Sequence, residues 1–582
     1  YDHKAIEFKA ITRFKTTWGK IGANGRTEYN DEFKIVDAAY GGHSHDSSKP
    51  LLWMKEAWLK ASLSAILSDK PASDRLHFVK LGMFPFQLGR GIALGSFYGV
   101  SKKILALYSH SPDYYSPGIL LTGELAKDVL WYDLYYSKLE EKSASFGDTF
   151  NSVKEKVIGR SATPWRGVAK DNDLYAGRLK IKPIDNETQG TLDLEPYIYY
   201  NEASDQKVEL PADSKSILGA VGGSAEYKYK NFEVGTEVAF NYGHETLFHI
   251  DRNRVIFKMD KYENSVGDAE TVESLREVFS KILYEEEIKA NFHGKNVIVN
   301  STTKTIVGNY NATSVGAVDN GQAWTPSPAD PNSVAEYKNA SNRYRPGYKN
   351  KYRGWMGVLD ASYFFENADL KIAGALGYAS GDKNPHQDTV NKSYKGFVGL
   401  HELYDGNRVP SVFMLDSRSI KRPLTFIAAG GTTNDDPLFT DFKYVGLGAT
   451  FTPKALKEHN FSLNPNMLFF WKAHGTKKYD TTIEDENGKT VGGVSPTEDA
   501  SKFLGIEFNI KTKYDLLKDL CLKGDFAFFL PGSYYNDVKG APMDTDLFAK
   551  LEEADKQGID SSTYRLGDDA AFYCKIVLEY SF

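Results

Sequence analysis

The feature that most restricts how this chain can fold is the way its connections are sorted by length. Strand-like runs come in pairs joined by short turns: Ser68 to Asp74, Ala126 to Asp128, Ile184 to Gly190, Tyr229 to Asn231, Glu366 to Ala368, Lys454 to Asn460 and Leu517 to Leu520. Between the pairs lie long polar segments, roughly 19–50, 89–117, 143–171, 244–351, 383–438, 474–502 and 532–568, with a shorter one at 202–214. In a meandering antiparallel sheet this puts the short links on one edge and the long ones on the other. A soluble sandwich has no reason to sort its loops so. A barrel that crosses a membrane does, with tight turns on one side of the bilayer and long loops on the other.

The strands carry the matching two-residue period. Ile6, Phe8, Ala10, Phe14 and Trp18 alternate with Glu7, Lys9, Arg13 and Lys15; Phe232, Val234, Val238, Phe240 and Tyr242 alternate with Glu233, Gly235, Glu237 and Asn241. Leu504, Ile506, Phe508, Ile510 and Tyr514 alternate with Glu507, Asn509, Lys511 and Lys513. Burying such charges between two sheets would cost several kcal/mol each, whereas a wet interior hydrates them. Gly and Ala dominate the inner side of 370–379 (Ala373, Ala375, Gly377, Ala379), where a loop or another wall can approach closely. The count is about 16 strands directly and about 18 if a further hairpin lies in 244–351.

Composition agrees. No apolar run reaches the length of a membrane-crossing helix, and mean hydropathy is −0.45, yet a barrel shows only alternate residues to lipid. Aromatics make up 13%, with 36 Tyr, whose apolar ring and polar tip suit a membrane interface or a wet pore wall. A net charge of −6 gives no reason to expect nucleic acid. The 2 cysteines, Cys521 facing inward and Cys574 outward, cannot build a disulfide framework. The chain starts at Tyr1 without a charged-then-apolar leader, so any signal peptide is expected to have been removed already. Helical periodicity is expected at Glu270–Lys289 and Asp544–Lys556, inside long segments.

The final stretch splits Phe572, Cys574, Ile576, Leu578, Tyr580 and Phe582 from Tyr573, Lys575, Val577, Glu579 and Ser581. A terminal strand ending on an aromatic resembles outer-membrane barrels of Gram-negative bacteria. That resemblance implies an assembly signal at Phe582 and Tyr580, insertion by the barrel-assembly machinery, and partners in the lipid bilayer and its lipopolysaccharide. It also puts the short turns in the periplasm and the long segments outside the cell.

Signatures of catalysis are missing: there is no P-loop, H-E-x-x-H or G-x-S-x-G, so no enzyme and no cofactor is expected. His43, His45 and Asp46 lie in a Gly/Ser-rich loop that reads as solvated rather than as a metal site. The cluster that stands out is basic and aromatic: Lys338, Arg343, Tyr344, Arg345, Tyr348, Lys349, Lys351 and Arg353. Folded into a lumen, its guanidinium groups would favour carboxylate or phosphate; left outside, it is a solvated face. Arg178, Lys180 and Lys182, with Lys511 and Lys513, would extend a basic inner wall, and Glu233, Glu237 and Asp360 would keep anions from being trapped.

Arg343-Tyr-Arg345, Tyr348, Tyr352-Arg-Gly-Trp355 and Gly377-Tyr-Ala-Ser-Gly-Asp-Lys383 together resemble the alginate-export family of outer-membrane barrels. Gly89-Arg90-Gly91, Gly95 and the strand Trp131–Lys138 are also similar. The resemblance implies a monomeric barrel of about 18 strands that passes an anionic polysaccharide through an Arg- and Lys-rich constriction. Gly82-Met83-Phe84 departs from the family's Gly-Arg-Gln and lacks one lumen Arg. The expectation is therefore a single all-β transmembrane antiparallel β-barrel serving as a porin for hydrophilic, anionic solutes or glycans. The alternative is a structural or surface-binding barrel whose loops close the lumen.

Overall fold

In the computed structural model the described residues are 6–15, 51–63, 77–96, 115–140, 172–203, 214–247, 250–251, 296–300, 306–310, 333–335, 344–345, 348–382, 393–415, 439–482, 493–540 and 567–580. Strands β1 (Ile6–Lys15), β2 (Leu51–Ser62), β3 (His77–Met83), β4 (Pro117–Ala126), β5 (Leu130–Glu140), β6 (Asn172–Asn186), β7 (Gly190–Ala203), β8 (Ser214–Tyr229) and β9 (Phe232–Leu247) pair in succession, each antiparallel to the last. In the segment after β9, β10 (Ile250–Asp251) pairs with β14 (Tyr344–Arg345), while β11 (Asn296–Asn300), β12 (Ile306–Tyr310) and β13 (Ser333–Ala335) form a small sheet of their own. The main sheet resumes with β15 (Tyr348–Tyr352), β16 (Trp355–Phe365), β17 (Leu370–Ala379), β18 (Ser393–Tyr394), β19 (Phe442–Phe451) and β20 (Ser462–Lys472). A separate hairpin, β21 (Lys477–Asp480) with β22 (Gly493–Asp499), precedes β23 (Phe503–Leu517), β24 (Leu520–Pro531) and β25 (Ala571–Tyr580).

The main sheet has 18 strands. Two of them are short: β15 and β16 lie in line against the same neighbour β9, and β18 is a two-residue parallel partner of β15. Among the described residues of 244–351, the expected hairpin does not appear as a pair of long staves. Among the described residues β1 pairs only with β2 and β25 only with β24, so the closed barrel expected from the sequence is an opened one, its wall interrupted between these two edges.

The short turns share one rim, and each grips its neighbour. Lys182 N donates to Val129 O, Tyr227 Oη to Gln189 O, Asn231 Nδ2 to Glu366, Lys454 N to Asp369, and Asn460 Nδ2 to Asp515. Their tightness rests on left-handed residues, Asp128, Lys230, Asp369 and Asn460. The turn at 68–74 lies outside the described residues.

Alternation sets the two faces of the wall. Leu134, Ile198, Phe240, Leu376, Leu447 and Ile576 are half or more exposed on the outer face, while Asp133, Tyr197, Glu237, Ala375, Tyr444 and Glu507 are buried on the inner face. An apolar face of this extent is not stable in water and marks a lipid-facing surface. Leu504 departs from the expectation that put it outside. It is buried, because Gly505 (φ +142°) sits where β23 slips register against β20 and turns Leu504 to the other face. Cys521 and Cys574 are free and sit on opposite faces, as their parities require. The expected helices at 270–289 and 544–556 fall outside the described residues; the last long segment opens with a short helix, α1 (Ser533–Asp537).

Candidate functional site

Two segments leave the long-loop rim and fold against the inner face of the wall. Residues 84–96 follow β3, and residues 395–415 follow β18. They run side by side: Gly95 N donates to Leu400 O, Leu400 N to Ala93 O, and Leu403 N to Gly91 O. Phe84, Leu88, Ile92, Leu94, Phe397 and Val409 have no exposed surface. Glycine makes the path possible at the sharp turn Gly89-Arg90-Gly91, where φ is +52° and +83° at its ends and Gly91 N returns to Leu88 O. The small residues of β17 and β19 provide the space opposite. Tyr444 lies over Gly377 and bonds Tyr404 Oη at 3.0 Å, and Val409 packs onto Gly446 and Gly448.

The wall receives the two segments through polar side chains. Gly89 N donates to Glu195 Oε1 (2.7 Å) and Arg90 N to Glu237 Oε2 (2.7 Å). Asn241 bonds both the N–H and the carbonyl of Val398 (2.8 and 2.9 Å). On the far side, Glu507 accepts from Ser411 Oγ (2.7 Å) and from the N–H groups of Val412 (2.6 Å) and Phe413 (3.1 Å). Phe86 stacks on Tyr135 of β5 at 4.2 Å, and Phe413 meets Tyr573 of β25 at 6.3 Å. Elements that reach from β5 to β25 require the wall to curve around them.

At the centre is a ring of four charges. Glu226 on β8, Gly235 on β9 and Asp360 on β16 are register partners, so two carboxylates flank a position with no side chain. The Arg90 guanidinium occupies that slot, bonding Asp360 Oδ2 and, at 2.5 Å, Glu226 Oε1. Arg408 bonds the other oxygen of each, Asp360 Oδ1 and Glu226 Oε2 (2.8 Å), and lies 3.5 Å from Glu233. The side chains of Arg90, Arg408 and Asp360 are 8%, 6% and 1% exposed. Burial alone would lower the Arg90 pKa, but Asp360 and Glu226 more than offset it, so the group stays charged. Arg408 is held the same way against its own burial. Two guanidinium groups and two carboxylates cancel, so the ring presents no net charge of its own.

Of the residues expected at the site, Asp360, Glu233 and Glu237 meet here, but the arginines facing Asp360 are Arg90 and Arg408. Arg353 is exposed and takes no part; Arg343 lies outside the described residues, and Arg345 is known only as a backbone partner of Ile250. Arg178 faces inward and bonds Asp133 (2.6 Å), Gln87 O (2.8 Å) and Glu195 (3.2 Å), so it holds the incoming 84–96 segment. Lys180 (3.1 Å from Asp133), Lys182 (3.9 Å from Asp193), Lys511 (3.5 Å from Asp405) and Lys513 (3.6 Å from Asp515) lie nearer the turn rim and keep 30–47% of their side chains exposed. Arg90 sits between two glycines and Arg408 two residues after Gly406 (φ +94°), placements that do not by themselves tell a buried arginine from a solvated one. Tyr580 ends β25, opposite Leu520, and Phe582 lies outside the described residues.

No family model matches the chain, and no curated protein does. The resemblance to the alginate-export family therefore remains one of motifs. Solved structures similar to the chain include OccK11 (OpdR) of Pseudomonas aeruginosa, at 10% identity and TM-score 0.31 over 83% of this chain and 76% of that one. In-vitro folded OmpT, an outer membrane protein of Vibrio cholerae in its trimer form, is 7% identical at TM-score 0.28 over 92% and 94%. The outer membrane transporter YddB of Escherichia coli is 7% identical at TM-score 0.28 over 85% of this chain and 57% of that one. These likenesses are too slight to carry an argument, and the reading of the site rests on the chain's own geometry.

Proposed function

We propose that the chain is a channel of the bacterial outer membrane for hydrophilic solutes, narrowed by the two inward segments. The observation that carries this reading is the wall itself: apolar outward along the middle of its strands, charged and hydrogen-bonded inward. The short turns then face the periplasm and the long segments the outside. The partners are the bilayer with its lipopolysaccharide, and the barrel-assembly machinery during insertion. A preference for anions, including acidic glycans of the kind suggested by the alginate-export resemblance, is supported by the partly exposed Lys180, Lys182, Lys511 and Lys513 rather than by the buried arginines. Arg343 and Arg345 belong to the same proposal as candidate lining residues.

Purified protein in planar bilayers tests the reading. Discrete conductance steps with a reversal potential on the anion side support it, and Lys180→Ala/Lys511→Ala/Lys513→Ala should move that potential toward cations. Arg343→Ala/Arg345→Ala should do the same if those residues line the path. One observation favours a second reading, a barrel that does not conduct: the inward segments are buried and braced on both flanks of the wall. Absence of any steps from correctly assembled protein would establish that alternative.

A further inference from the structure

The charge ring does more than fill the interior. Arg90 belongs to one inward segment and Arg408 to the other, and each carboxylate of the ring gives one oxygen to each arginine. Neither arginine can leave without stripping a buried partner: Asp360 would lose one of its two arginines while 1% exposed, and the half-buried Glu226 (27%) would lose one as well. We propose that Arg90, Asp360, Arg408 and Glu226 act as a single latch, with both arginines as positioning residues, fixing segments 84–96 and 395–415 as one partition across the lumen. Opening the latch releases both segments together. The inference rests on the channel reading for its consequence, that this partition limits what passes, but not for the latch itself.

Three features support a latch rather than a pair of ordinary ion pairs. The ring is closed, so the two segments are tied to each other through the wall as well as by their own backbone bonds. Its anchor points lie on β8 and β16, which flank β9, and the slot between them exists only because residue 235 is glycine. The other end of 395–415 is held by Glu507 without any cation, and its pair with Lys511 through Asp405 (3.5 Å) is partly exposed at both partners, so the charge ring is a buried ionic anchor of that segment. Breaking a buried pair leaves an uncompensated charge and costs far more than losing a surface pair.

The test reads release directly. In a Cys521→Ser/Cys574→Ser background, a single reporter is introduced in each segment, Ser96→Cys or Val409→Cys; both positions are buried. Labelling by a bulky water-soluble maleimide is timed on the folded protein in detergent. The latch is broken by Arg408→Met and, independently, by Gly235→Leu, whose side chain would occupy the place of the Arg90 guanidinium while leaving every charge of the ring in place. Both variants should speed labelling of both reporters by on the order of a hundredfold, while heat-modifiable migration of the barrel is kept. Should Arg408→Met fail to assemble, Gly235→Leu decides alone. Protected reporters in a folded variant, or labelling confined to the altered arginine's own segment, would overturn the latch. Conductance of the same proteins separates the two proposals. A silent parent sinks the channel reading and leaves the labelling result standing, whereas a conducting parent with unchanged labelling in the variants sinks only the latch.

Discussion

Glu507 offers a quantitative check on how the partition is held. Its carboxylate is fully buried on the inner face of β23 and accepts from Ser411 Oγ, Val412 N, Phe413 N and, at 2.7 Å, Asn509 Nδ2. Glu507→Ala strips two buried backbone N–H groups of their acceptor. Each orphaned donor costs about 1–3 kcal/mol, and the cost of burying the carboxylate, now removed, offsets part of the sum. The net loss expected for docking of residues 411–415 is about 3 kcal/mol, or roughly a hundredfold in the local opening equilibrium. The wall should not follow, because β23 keeps its ladders to β20 and β24. Hydrogen exchange of the Val412 and Phe413 amides measures this: both should speed up about a hundredfold while the amide of Phe469 stays as it was. Glu507→Gln, which keeps one oxygen, should fall between the two. Unchanged protection of Val412 and Phe413 in Glu507→Ala would refute the claim that this carboxylate anchors the segment.

Other outcomes follow from the same geometry. Filling the space under the partition with Gly446→Val should displace Val409 at a cost of about 1–3 kcal/mol, read as a lower midpoint for release of the 395–415 segment; an unchanged midpoint would mean that the contact is loose. Asp441, just outside β19, is partly buried, which by itself would raise its pKa, but Lys472 (3.0 Å) and the His474 side chain and N–H hold its carboxyl below the ordinary value. A depressed carboxylate adds stability that is present above about pH 4 and is lost as pH falls through the folded value, so the protection factor of the His474 amide, its exchange relative to the intrinsic rate, should be flat from pH 6 down to about 4 and fall only below it. In intact cells an impermeant thiol reagent should mark Thr482→Cys and not Lys230→Cys in the cysteine-free background; the reverse pattern would invert the orientation.

The sequence by itself determined the wall. A two-residue period is a local property, so Glu233 and Glu237 could be placed inward and Phe240 outward without knowing any contact, and the short links fixed where each strand reverses. Charges on one face and exposed apolar side chains on the other leave few environments in which such a sheet is stable. Only the tertiary structure decided what occupies the interior. Arg90 and Asp360 are 270 residues apart, and an arginine between two glycines reads the same whether solvated or buried. The basic run at 338–353 drew attention because its charges are adjacent in sequence, whereas the charges that meet are single residues delivered by two segments, and Arg353 stays exposed. Register, too, lay beyond the pattern. The slip at Gly505 that buries Leu504, and the alignment of Glu226, Gly235 and Asp360 that leaves room for a guanidinium, arise from how neighbouring strands pair. Periodicity tells which face a side chain takes, but not which residue of the next strand lies beside it.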